Sequence, residues 1–262
     1  MGEAARTTPF LLLWLEAPLM AFGGPLVDFI GPTRRFPGQA QVTGLLGNAL
    51  GWRHGDTDAL AALQARLRLA AAVLRPGEML RDYQTVDLGQ PYLAGTGWTT
   101  RGAPEGRDGA SSGGTHIRHR WYLADACVLL ALTLEPLDEA PDLAALDAAL
   151  LHPARPLFIG RKPCLPTAPI RLGPVEAANV ADALRRGAAR LADVGVRFGQ
   201  DVQVEGDARL AGLPGHGADG GVEGGSDDAE RLVDGRDWRN GMHTGARAVR
   251  RGTLRLLPEQ GR

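Results

Sequence analysis

Tyr122 to Leu134 reads YLADACVLLALTL, the most apolar segment of the chain. It is short, partly β-branched and stopped by Pro136, so it is predicted as a central strand. Phe10 to Glu16 (FLLLWLE) reads as a second buried strand near the N-terminus. Between them, Val42 to Trp52 (VTGLLGNALGW) has helical character, with small residues that permit close packing on a sheet. Ala59 to Leu67 is another helical stretch, Arg66 to Leu74 alternates weakly, and Glu78 to Val86 (EMLRDYQTV) reads as a strand. Asp142 is placed to cap a helix over Leu143, Leu146 and Leu150. Val180, Leu184, Ala188 and Leu191 mark the apolar face of a further helix. Strand, helix, strands, strand, helix is an α+β pattern, compatible with a βαββαβ ferredoxin-like or RNA-recognition core.

A chain of 262 residues allows one large domain or two small ones. With 29 basic and 30 acidic residues the net charge is −1, which excludes nucleic-acid binding by bulk positive charge but leaves room for a local basic patch. Lys162 is the only lysine, so the positive charge rests on arginine, whose fork suits phosphate and whose plane stacks on bases. Two cysteines, Cys127 and Cys164, exclude a disulfide scaffold and a cysteine-based zinc site, and fit a reducing compartment. Phe10 to Leu15 is too short to span a membrane. These features lead to the expectation of a cytoplasmic protein with no membrane partner, no metal and no cofactor.

Two stretches interrupt the pattern. Residues 86–115 hold eight glycines, and residues 206–225 hold another eight. Loops of this length either bind something or lack fixed structure. The second is expected to be a flexible surface loop. The first is flanked by Arg81, Tyr83, His116, Arg118, His119, Arg120, Trp121 and Tyr122, which suits a grip on a partner.

Four clusters carry candidate chemistry. Gly31 to Pro37 (GPTRRFP) leads two arginines into a helix N-terminus, a setting for an anion. In Thr115 to Tyr122 (THIRHRWY), strand alternation puts His116, Arg118 and Arg120 on one face and Ile117, His119 and Trp121 on the other. Pro156 to Pro166 (PLFIGRKPCLP) turns at Gly160 and presents Arg161 and Lys162, without the spacing of a phosphate-binding P-loop. Arg247, Arg250 and Arg251 read as a solvated face. There is no zinc-protease or serine-hydrolase motif. Metal-free RNA cleavage needs a base, an acid and a cation, and His119, Tyr122 and Lys162 would supply them if folded together.

With these motifs in order, the sequence resembles the CasD family, the Cas-five subunit of the type I-E CRISPR effector Cascade. The resemblance rests on LLLWLEAPLMAFG (Leu11–Gly23), GPTRRFP, the Gly-Leu-Leu-Gly helix, RDYQT (Arg81–Thr85), RHRWYLADA (Arg118–Ala126) and ARPLFIGRKPCLP. It covers roughly residues 9–175. It departs after Pro37, where Gly38, Gln39 and Ala40 stand in place of a frequent Thr-Lys-Ser, so a family lysine is missing.

The resemblance implies an RNA-recognition-like core over 9–155 with a long β-hairpin thumb inserted at 86–115. A smaller C-terminal part, 156–262, would carry the flexible 206–225 loop. It further implies a non-catalytic subunit that binds the 5′ handle of the CRISPR RNA and contacts the CasC backbone and the large Cascade subunit. Target DNA is then engaged through the complex. The RNA path would run along Thr33, Arg34, Arg35, Arg81, Tyr83, Gln84, Thr85, His116, Arg118, Arg120, Tyr122, Arg161 and Lys162. Tyr92, Trp98 and Arg101 would anchor the thumb on a neighbour. The alternative is a metal-independent endoribonuclease that processes the repeat.

Overall fold

The computed structural model describes residues 7–24, 29–87, 97–98, 104–105, 115–214 and 229–256. The first half contains β1 (Thr8–Glu16), β2 (Leu19–Met20), β3 (Ile30–Gly31), α1 (Gln39–Ala49), α2 (Thr57–Arg66), β4 (Leu67–Arg75), β5 (Glu78–Asp87), β6 (Gly97–Trp98), β7 (Pro104–Glu105), β8 (Thr115–Ala124) and β9 (Cys127–Leu134). There follow α3 (Leu143–Leu151), β10 (Arg171–Ala177), α4 (Val180–Asp193), β11 (Asp201–Asp207), β12 (Glu230–Val233), β13 (Arg236–Asp237), β14 (Met242–His243) and β15 (Ala246–Arg255).

Seven strands form one antiparallel sheet in the order β10-β1-β9-β4-β11-β15-β12. Counted along the chain, β1, β4, β9 and β10 are the four strands of a βαββαβ unit. They lie in the spatial order fourth, first, third, second, which is the ferredoxin-like arrangement expected from the pattern. Strand alternation explains why FLLLWLE is apolar throughout. Leu11, Leu13 and Leu15 face a core shared with Val42, Leu46, Leu63 and Leu146 of the first three helices. Phe10 and Leu12 face a second core against Val180, Leu184, Ala188 and Leu191 of α4. Both faces of the sheet are therefore covered. Ala70, Ala72 and Ala131 keep the α4 side shallow, and Gly187 of α4 rides over Leu129, where an added methyl would meet the leucine at 3.0 Å. Asp142 caps α3 by accepting from the Ala145 amide at 2.7 Å, and Asn179 caps α4 through the Asp182 amide at 3.0 Å.

The predicted single strand over Tyr122–Leu134 is two strands in two sheets. β8 ends at Ala124, Asp125 turns with φ 55°, and β9 begins at Cys127. The apolar run conceals the break because Tyr122 and Leu123 pack into the same core as Val128 and Leu130. β5 and β8 pair antiparallel from Glu78↔Ala124 out to Asp87↔Thr115, forming a hairpin inserted between β4 and β9. Of the 86–115 thumb, the structure describes this base and a short β6–β7 pairing. Tyr92 and Arg101, expected as thumb anchors, lie outside the described residues. Trp98 lies on β6, and its side chain is likewise outside what is described.

The expected boundary after residue 155 falls between α3 and β10, and β10, β11, β15 and β12 extend the same sheet. Of the stretch expected as a flexible loop, residues 206–214 are anchored at several points, with Arg209, Ala211 and Gly212 exposed. Gly206 sits in β11 against Ala70, while Leu210 and Leu213 belong to the α4-side core. Residues 215–225 lie outside the described residues. Among the described residues no helix is long and apolar enough to cross a membrane.

The hairpin departs through Gly77 at φ +65°, where a methyl would lie 2.3 Å from the Ala124 carbonyl oxygen. Gly77→Ala is expected to lower stability by about 1–3 kcal/mol, from strain and contact with backbone that cannot yield. Gly55→Ala, with open space around it, should change stability by less than about 0.5 kcal/mol. Denaturant midpoints of the two variants check this.

Candidate nucleic-acid interface

The hairpin base belongs to a second sheet. One edge of β8 carries β5, and the other carries β2 antiparallel at Leu123–Ala124 and β3 parallel at His119–Arg120. β3 opens the GPTRRFP loop, so this pairing fixes that loop beside β8. The 159–164 turn then closes over both. The Ile159 amide donates to the Cys164 carbonyl at 2.8 Å, and the Cys164 amide donates to the Arg161 carbonyl at 2.8 Å. Gly160, at φ +94°, lies so close to the Ala21 carbonyl that a methyl would be 1.7 Å from its oxygen.

Arg161 ties the three segments together. It donates to the carbonyls of Trp121 at 2.8 Å, Gly31 at 3.0 Å and Pro32 at 3.3 Å, and its guanidinium lies 4.7 Å above the Tyr122 ring. Arg120 reaches the same place from β8. A methyl built on Gly31 would be 2.6 Å from one Arg120 Nη and 3.1 Å from one Arg161 Nη, so both forks converge on this glycine. Arg161 is satisfied by carbonyls, which solvate its charge without neutralising it. Arg120 has no ion pair among the described residues. The Asp82 carboxylate, opposite Arg120 in register, accepts instead from Gln84 at 2.6 Å. Among the described residues the Arg118 guanidinium donates only to the Ile117 carbonyl, at 3.1 Å. Arg35 and Lys162 are exposed, with no hydrogen bond or ion pair among the described residues. Two unneutralised guanidinium groups side by side form a place where an anion would be held.

Strand parity divides the hairpin into two faces. Arg118, Arg120, Tyr122 and Gln84 lie on one. On the other, His119 sits between Phe29 at 5.7 Å and Tyr83 at 5.4 Å, and Arg81 lies 5.9 Å over Trp121. Large apolar groups are exposed there, with Tyr83 58 % and Met79 49 % accessible beside Ile30 and Ile117. Thr85 shares this face by register.

Several expected contacts have other employment. Tyr122 is buried at 4 % under Arg161 and offers no face to a base. Thr33 Oγ1 accepts from the Phe22 amide at 2.9 Å and donates to the Arg34 carbonyl at 3.2 Å, fixing the loop from within. One Nη of Arg34 donates to both oxygens of the buried Glu205 carboxylate, at 3.4 Å each. His116 lies on β8 opposite Val86, and its side chain is outside what is described. His119 and Tyr122 point to opposite faces of β8, so the expected base and acid do not share a site. Burial pushes the Cys127 thiol up to about 11 and raises that of Cys164 as well, leaving neither as a ready thiolate.

The sequence reading missed the acids that organise the arginines. Glu205 also pairs with Arg251 at 2.7 Å, and Asp234 pairs with Arg247 at 2.8 Å while accepting from the Gln39 amide at 3.0 Å. Arg247, read as part of a solvated face, is buried. Alternation along β15 was the available signal, since Arg247 and Val249 share an inward face.

Residues 10–250 match the family described as CRISPR-associated protein (Cas_Cas5). The chain is 34% identical over 179 residues to the CRISPR system Cascade subunit CasD of Escherichia coli (strain K12), covering 67% of this chain and 75% of that relative. Among solved structures, a chain of a CRISPR RNA-guided surveillance complex superposes with a TM-score of 0.60 at 22% identity, covering 94% of this chain and 90% of that one. Another, titled crystal structure of Cas protein, gives 0.56 at 24% identity over 94% and 95%. At these identities the two structures establish a shared fold.

Arg161→Ala is expected to cost about 1–3 kcal/mol, because three carbonyls lose their donor together. Lys162→Ala should stay within about 0.5 kcal/mol of the parent. Thermal and denaturant unfolding of the two neighbouring variants make the comparison.

Proposed function

We propose that this chain, which belongs to the CRISPR-associated protein (Cas_Cas5) family, is a non-catalytic RNA-binding and assembly subunit of a Cascade surveillance complex. Its RNA ligand is the 5′ handle of the CRISPR RNA. The observation that carries this reading is the convergence of Arg120 and Arg161 over Gly31, with no carboxylate paired to either among the described residues. An RNA-recognition sheet ordinarily stacks bases on its open face. Here that face is closed by α4, which supports an RNA path along the second sheet instead. Arg35, Gln84, Arg118, Arg120, Arg161 and Lys162 form the RNA side. Thr33, Arg34 and Tyr122 act behind them as supports.

The opposite hairpin face suits a protein. Exposed Tyr83, Met79, Ile30 and Ile117, with Arg81 on Trp121, make an aromatic and apolar surface of the kind that protein interfaces cover. CasC backbone subunits and the large subunit are the proposed neighbours. Target DNA meets the protein only through the assembled, cytoplasmic complex. The separation of His119 from Tyr122 favours the scaffold over the endoribonuclease.

Replacing Arg118 and Arg120 together by Ala should weaken binding of handle-bearing RNA and flatten the salt dependence by about two log units per log unit of salt, one per phosphate contact. Arg34→Ala should leave that slope near the parent value and act through stability. Binding titrations over a salt series separate the two. Purified protein incubated with end-labelled repeat RNA should leave it intact. Site-specific products lost in His119→Ala would contradict the non-catalytic assignment.

A further inference from the structure

Beside the convergence on Gly31 lies a cleft of about 210 Å³ between the Phe22-Gly23-Gly24 segment, the start of α1, the Gly160 turn and the β13–β14 hairpin. Arg161 and Arg236 line it together with His243 and with Arg34, which is paired with Glu205, and its one carboxylate, Asp234, is already engaged by Arg247. Two polar atoms in this lining are buried with no partner: Gln41 Oε1 and Arg236 Nε. They differ in kind. Gln41 turns its amide nitrogen to the Ala21 carbonyl at 3.3 Å, which leaves the oxygen as a bare acceptor. Arg236 Nε is a bare donor.

Both groups are held in place. Gln64 grips the backbone of Arg236, accepting from its amide and donating to its carbonyl at 3.1 Å each. The same Gln64 oxygen takes the Trp238 indole N–H at 3.2 Å. The Arg236 guanidinium is thereby set 5.5 Å over the Trp238 ring. A buried donor and a buried acceptor left open in one cationic cleft are the complement of a ligand that is anionic and carries a hydrogen-bonding edge. A planar guanidinium backed by an indole is a surface on which a base stacks. Glycines at 23, 24 and 160 keep the rim free of side chains.

We infer that this cleft binds one nucleotide of the single-stranded RNA, its phosphate at Arg236 and Arg161 and its base edge at Gln41. The inference rests on the proposed RNA-binding function and extends it. Arg161 lies in both sites, so a strand following Arg118 and Arg120 across Gly31 passes directly into the cleft. The C-terminal hairpin, which the sequence left without a role, then supplies the far wall.

The test is binding of repeat-derived single-stranded RNA to the full chain over a salt series, comparing wild type with Gln41→Ala, Arg236→Ala and Arg236→Lys. Gln41→Ala should weaken binding about tenfold at unchanged salt slope, the mark of a lost base contact. Arg236→Ala should weaken it similarly and lower the slope by about one, while Arg236→Lys keeps the slope but not the full affinity. Wild-type affinity and slope in both Ala variants would overturn the cleft assignment, including the case where those variants instead fail to join protein partners. Should Arg236→Ala not fold, Gln41→Ala decides alone. A wild-type chain that binds no repeat RNA would overturn the functional reading itself.

Discussion

The guanidinium of Arg161 holds together three segments that are distant in sequence: the start of the GPTRRFP loop, the middle of β8 and the 159–164 turn. Each accepts from it through a backbone carbonyl, so the clamp depends on the fork of an arginine and not on charge pairing. Because no acid takes part, the positive charge survives at the surface. One interaction therefore fixes the hairpin base and charges it. Gly31 is the point of contact, since any side chain there would collide with both Arg120 and Arg161.

A second network stabilises the same region from behind. Arg34, Arg247 and Arg251 gather around buried Glu205, and Asp234 joins Arg247 to the first turn of α1. Buried carboxylates without such partners would be very costly. This network binds the N-terminal loop to β11 and β15, residues more than a hundred and fifty positions away. It also explains how a chain of near-zero net charge presents a basic face: Arg34, Arg247 and Arg251 are paired with acids, while Arg35, Arg118 and Arg120 have no ion pair among the described residues.

Much of the fold was legible because burial on both faces leaves a plain mark. FLLLWLE and YLADACVLLALTL read as extended, and the α4 stripe at Val180, Leu184, Ala188 and Leu191 was found from its spacing alone. The break at Asp125 was not legible, since Leu123 and Val128 enter one core from two sheets and hydropathy does not change between them. The site divided in the same way. Strand parity correctly separated Arg118 and Arg120 from His119. Which arginines were spent on acids depended on contacts between β11, β15 and the N-terminal loop, and residue type carries no record of those. Arg34 and Arg35 are adjacent and identical in kind, yet one is paired with Glu205 and the other is exposed.

The proposed function puts RNA on the basic face of the hairpin base and not on the seven-stranded sheet. Photo-crosslinking of repeat-derived RNA to the full chain, with crosslinked peptides identified by mass spectrometry, tests it most directly. Crosslinks are expected within residues 29–37, 115–124 and 159–164. Crosslinks concentrated on β1, β4 or α4 would contradict it.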